Sequence, residues 1–140
     1  MSRYTTESIR NIALVGQSGA GKTTLTEAIL LRAGAISEPG SVARGTTVCD
    51  FDPLEKEYQH SLTSSVVSTD HAGIHVNLID TPGLPDFIGQ ALSCFPAVET
   101  VAVVINAQAG IEPVARRMLD WSAQRKLCRM IIINQIDQPG

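Results

Sequence analysis

Gly16, Gln17, Ser18, Gly19, Ala20, Gly21, Lys22 and Thr23 read GQSGAGKT, which matches the phosphate-holding pattern G-x-x-x-x-G-K-[ST]. This pattern restricts the fold because it works only between a strand and a helix. Both are present. The apolar residues 12–15 stop at Gly16 as a short buried strand, and residues 24–33 set Leu25, Ala28, Ile29 and Ala33 at helical spacing before Gly34 ends the helix. The glycines let successive backbone N–H groups turn inward, and the helix N-terminus adds positive potential where phosphates sit. Lys22 is placed to reach the β- and γ-phosphates. Thr23 offers a hydroxyl to a magnesium ion that bridges them, and Thr24 follows at the helix start, within the same nucleotide-binding set.

Further along, residues 35–62 lose periodicity among Pro39, Gly40, Gly45 and paired threonines, so a long mobile loop is expected there as a switching segment. Residues 66–68 and 74–79 read as a hairpin with Asp70, His71 and Gly73 as its turn. Two more apolar strands, 100–105 and 129–133, flank a helix over 112–124 in which Val114, Ala115, Met118, Leu119 and Ser122 share a face. Strands alternating with helices predict an α/β fold with a mostly parallel, doubly wound sheet.

Composition narrows the surroundings. The 140 residues are 44% hydrophobic and 18% charged, as in one globular domain, and the net charge of -3 provides no broad positive field. Direct binding to DNA is therefore not expected. No apolar run approaches the roughly 18 residues that span a bilayer, so a cytoplasmic protein without membrane contact is expected. Cys49, Cys94 and Cys128 are odd in number and widely spaced, which reads as reduced thiols rather than disulfides or a zinc site. Trp121 reads as packing.

Two further motifs lie at strand ends. Asp80 closes an apolar strand, where open parallel sheets bind their ligands, and it can hold magnesium through water. In Asp80-Thr81-Pro82-Gly83 the glycine frees a backbone N–H to approach a γ-phosphate. Asn134-Gln135-Ile136-Asp137 follows the last strand. Its aspartate can accept hydrogen bonds from guanine N1–H and N2–H₂, an edge adenine lacks. An ATP-specific site is the disfavoured alternative.

These elements in this order resemble the nucleotide-binding domain of translational GTPases, and among them elongation factor G and its paralogues. The resemblance is carried by Arg10-Asn11-Ile12, the phosphate loop, residues 52–57, the DTPGLPDF stretch from Asp80 to Phe87, and Asn134 to Asp137. It implies a P-loop G-domain, GTP/GDP and Mg2+ as ligands, and a ribosomal partner for the full-length protein. It also implies that Tyr58-Gln59-His60-Ser61 stands in the first switch, with Ser61 beside Thr23 and Asp80 as a magnesium ligand. On the same grounds residues 1–140 read as the first part of a GTP-binding domain, C-terminally truncated before a last strand, helices and a Ser-Ala loop. The strand over 129–133 would then expose an edge and favour self-association.

Three departures bear on activity. The family's histidine after DTPG is Leu84 here, which has neither donor nor acceptor and leaves the chain with no assignable catalytic residue. The family's arginine and glycine in the first switch are replaced around Tyr58 and Gln59. Its lysine in Asn-Lys-x-Asp is Gln135, so the brace from that lysine to the phosphate loop is expected to be lost. His60 reads as a solvated loop histidine, with a place near the γ-phosphate as the alternative, while His71 and His75 read as structural. The expected function is a GTP- and magnesium-dependent switch on the ribosome with GTPase activity by resemblance. The alternative is a regulatory paralogue deficient in hydrolysis.

Overall fold

The computed structural model describes residues 4–49, 51–58 and 60–137. The apolar run before the phosphate loop extends into a seven-residue strand, β1 (Ile9–Val15), whose alternate side chains serve two cores. Ala13 and Val15 face one side and Leu14 the other, as the two-residue repeat of a strand requires. The same division holds in β4 (Thr100–Asn106): Val101, Val103 and Ile105 join the first core, Ala102 and Val104 the second. A strand buried on both faces is the signature of a parallel sheet with helices on either side.

The remaining strands are β2 (Ser65–His71), β3 (Ile74–Asp80) and β5 (Cys128–Asn134). The sheet runs β2-β3-β1-β4-β5, with β3, β1, β4 and β5 parallel and β2 antiparallel to β3. The mostly parallel α/β sheet and the hairpin expected from the sequence are both present. The turn is shorter than expected: Asp70 and His71 belong to β2, and only Ala72 and Gly73 turn, both at positive φ (49° and 80°), as in two-residue hairpin loops. Asp70 instead bonds His75 Nδ1 at 2.8 Å, and the His75 ring stacks on Tyr4, which suits a structural role.

On one face α3 (Ile88–Ser93) and α4 (Pro113–Gln124) cover the first core, into which Phe95, Val114, Ala115 and Met118 are buried and against which Trp121 packs. On the other, α1 (Lys22–Arg32) covers Leu14 and Leu78. The buried stripe of α1 differs from the expected one. Thr26, Glu27 and Leu30 are buried, while Ala28 is exposed and Leu25 and Ile29 are only half-buried. Helical spacing alone ranked the apolar side chains, whereas two polar ones with bonding partners took the inner face.

The expected loop over 35–62 holds a short helix, α2 (Pro53–Tyr58). Proline begins it and the Asp52 carboxylate caps it, Oδ1 accepting from Leu54 N at 2.8 Å. Six residues with no apolar repeat left no period to detect. Gln59 lies outside the described residues. Among the described residues no helix is long and apolar enough to cross a membrane.

Because four strands are parallel, Val15, Asp80, Asn106 and Asn134 end at one edge of the sheet. That edge is where such sheets hold ligands.

Candidate functional site

The loop between β1 and α1 turns on glycines held at φ values that side chains avoid, 135° at Gly16, 74° at Gly19 and 85° at Gly21. Gly21 leads directly into Lys22, the first residue of α1. The Lys22 ammonium curls back over the loop and donates to the carbonyls of Gly16 (3.1 Å) and Gln17 (2.8 Å). Its burial lowers the pKa from 10.5 to about 8, against the opposing pull of Asp80. A buried cation held mainly by neutral carbonyls attracts anionic ligands, and a phosphate group supplies that charge.

Beside it, Thr23 Oγ1 donates to Asp80 Oδ2 at 2.6 Å and lies 3.5 Å from Ser61 Oγ. Three segments far apart in sequence thus converge, with Asp80 buried at the end of β3. Two hydroxyls and a carboxylate are hard oxygen donors that fit magnesium. The sequence-expected set Thr23, Ser61 and Asp80 is therefore brought together.

Gly83 lies against the phosphate loop so closely that an added Cβ would stand 2.5 Å from both Lys22 Nζ and Ser18 N. Only glycine fits there. A cleft of about 240 Å³ opens beside these groups, lined among others by Ser18, Thr24, Val42, His60, Leu84 and Gln135. His60 is exposed, as the sequence reading expected, and it also shares a hydrogen bond with Ser18 Oγ through Nδ1 at 3.3 Å, which places it at the rim of the phosphate loop. Leu84 is half-buried in the cleft wall and brings no polar atom.

At the end of β5 the structure corrects one expectation. Gln135 keeps the brace to the phosphate loop: its Nε2 donates to Gly19 O at 2.9 Å while Asn106 Nδ2 donates to its Oε1. Asn134 Nδ2 donates to Ala20 O at 2.9 Å. Both side chains therefore act on the loop backbone. Asp137 is exposed beyond them, outside the wall of the cleft.

Two acids that motif reading passed over hold the switching segment. Glu27 in α1 accepts from Gly40 N (2.7 Å) and Val48 N (2.6 Å). Glu55 in α2 accepts from Leu62 N (2.8 Å), Thr63 N (3.0 Å), Thr63 Oγ1 (3.2 Å) and Asp52 N (3.3 Å). In the sequence Glu55 stands within the 52–57 stretch that carries the resemblance, but nothing there marks it as an anchor. Glu27 left a signal, three residues before Leu30 on the face that is buried.

The geometry agrees with what known proteins indicate. A family model described as the elongation factor Tu GTP binding domain matches residues 7–140. An elongation factor G-like protein of Mycobacterium tuberculosis is 43% identical over 129 residues, 92% of this chain and 18% of that protein. Peptide chain release factor 3 of a Cyanothece species is 36% identical over 94% of this chain and 25% of its own. Tetracycline resistance protein TetW of Butyrivibrio fibrisolvens is 37% identical over 94% and 21%. The chain thus spans about a fifth to a quarter of these relatives' length. A crystal structure of a Thermus thermophilus protein superposes with a TM-score of 0.91 at 35% identity, covering 95% of this chain and 20% of that one. A bacterial selenocysteine-specific elongation factor shares the fold at a TM-score of 0.74 and 20% identity, covering 94% of this chain and 20% of that one. The chain belongs to the elongation factor Tu GTP-binding domain family, the G domain of translational GTPases, whose members bind guanine nucleotide.

Proposed function

We propose that this chain is the guanine-nucleotide module of a translation factor, a switch in which GTP and magnesium order the segments around Ser61 and Gly83 into a shape that acts on the ribosome. The observation that carries this reading is the contact of Thr23 with Asp80 beside the buried ammonium of Lys22, on a loop of the G-x-x-x-x-G-K-[ST] type. In it, the amides of residues 16–24 and the Lys22 ammonium take the phosphates. Thr23, Ser61 and Asp80 would hold the metal, which would offset the charge of the phosphates. Gly83 presents its N–H to the terminal phosphate. Asp137 selects guanine, and Asn134 and Gln135 hold the phosphate loop in shape from behind.

Calorimetric titration of GTP, GDP and ATP with magnesium tests this. Guanine nucleotides are expected to bind more tightly than ATP, and tighter ATP would overturn the assignment.

Leu84 favours a second reading, in which the switch binds nucleotide but hydrolyses it poorly. Its side chain lines the cleft where a polar group would be needed to orient water. Single-turnover GTP hydrolysis by the full-length protein on ribosomes separates the two readings.

A further inference from the structure

We infer that Glu55 is a positioning residue, whose buried carboxylate holds the backbone of residues 62–63 so that Ser61 and His60 stand over the phosphate loop. The inference rests on the proposed function and concerns the same site. Glu55 is only 2% exposed, yet it lies in a helix of six residues that has no apolar stripe of its own. A buried carboxylate is costly unless hydrogen-bonded, so its partners reveal what it holds. Oε1 takes the N–H groups of Leu62 and Thr63 together with the Thr63 hydroxyl, and Oε2 takes Asp52 N. Donors on both sides of the segment thus close on one carboxylate.

The two residues just before Leu62 are the ones that reach the phosphate loop. His60 Nδ1 bonds Ser18 Oγ at 3.3 Å and Ser61 Oγ lies 3.5 Å from Thr23 Oγ1. Neither contact is short, and both residues sit in a segment without strand or helix. Their place is set by the neighbouring backbone, and Glu55 fixes that backbone. Ser61 can serve the metal only while the segment is docked, and His60 and Ser61 line the same cleft as Lys22 and Gly83. Glu55 therefore governs the triphosphate-dependent half of binding and leaves the grip on a diphosphate to the phosphate loop.

The test uses the full-length protein, a non-hydrolysable GTP analogue and GDP, each titrated with and without magnesium. In E55A the magnesium-dependent gain for the GTP analogue should fall about tenfold, while GDP affinity changes by about twofold or less. E55Q should recover most of the gain, since an amide oxygen can still accept from Leu62 and Thr63. Hydrogen exchange on the wild-type protein provides a measurement independent of any variant: the Leu62 and Thr63 amides should be protected without nucleotide. A wild-type gain retained in E55A, or fast exchange at both amides, would overturn the inference alone. A wild-type protein that binds neither guanine nucleotide would overturn the proposed function and this inference with it.

Discussion

Gln135 donates through Nε2 to the carbonyl of Gly19 at 2.9 Å, and so ties the end of β5 to the phosphate loop across 116 positions of sequence. Asn106 at the end of β4 orients the amide by donating to its oxygen. The neutral side chain thereby supplies the loop contact that a lysine would supply from the same place. In Q135A, affinity for GTP and GDP should fall together by about five- to tenfold, the value of roughly 1 kcal/mol per hydrogen bond. Q135K, which keeps a donor, should recover it in equilibrium titration. Wild-type affinity in Q135A would show that the brace does not shape the loop.

Gly83 makes a sharper prediction. A methyl group there would meet Lys22 Nζ and Ser18 N at 2.5 Å, and the clash is relieved when the turn at residue 83 backs away from the phosphate loop and leaves that loop in place. G83A should lose about tenfold or more in affinity for a GTP analogue and keep its GDP affinity within about twofold. Equal losses for both nucleotides would mean that Gly83 serves the loop rather than the terminal phosphate.

Leu84 lies half-buried on the cleft wall without a donor or acceptor. L84H places an imidazole there. If the surrounding geometry is competent, single-turnover hydrolysis on ribosomes should rise by about a hundredfold, the lower range for a positioned acid or base. An unchanged rate would locate the deficiency elsewhere in the cleft.

Acid should loosen the switching segment through Glu55. Burial pushes its carboxyl upward, but hydrogen bonds from Thr63, Leu62 and Asp52 outweigh that, so its pKa lies below the ordinary 4.5. A lowered folded value stabilises the fold in full above 4.5, and that stabilisation is lost as pH falls through the folded value. The stability gap between wild type and E55Q should therefore be constant from about pH 7 to 5 and shrink below about pH 4. Denaturant titration across that range measures it, and a gap that persists at the acid end would contradict the assignment.

The two acids also mark the limit of what could be read in advance. The phosphate loop, Asp80 and Gly83 were legible because each needs particular residue types at a fixed local spacing, whereas at the end of β5 the motif was visible and the brace made by Gln135 was not. Also legible were β1, β4 and α4, whose apolar repeats are strong. Helices α2 and α3 were not, since six residues each leave too few turns for a period to emerge. Glu55 was invisible as an anchor, because a charged side chain in a polar stretch looks the same whether it meets water or a row of amides, whereas Glu27 left only its place on the buried face of α1.

The sequence by itself determined that a phosphate-binding loop sits between a strand and a helix, that a mostly parallel sheet surrounds it, and that no histidine follows the DTPG turn. Only the tertiary structure decided which distant groups complete it. His60 meets Ser18, Gln135 takes up the brace, and Glu27 and Glu55 hold the segment between, while the expected set of Thr23, Ser61 and Asp80 gains its actual contacts. The reason is physical. Local spacing encodes the geometry of one turn or one strand, whereas a hydrogen bond between residues dozens of positions apart exists only once the sheet has brought its strand ends to a common edge.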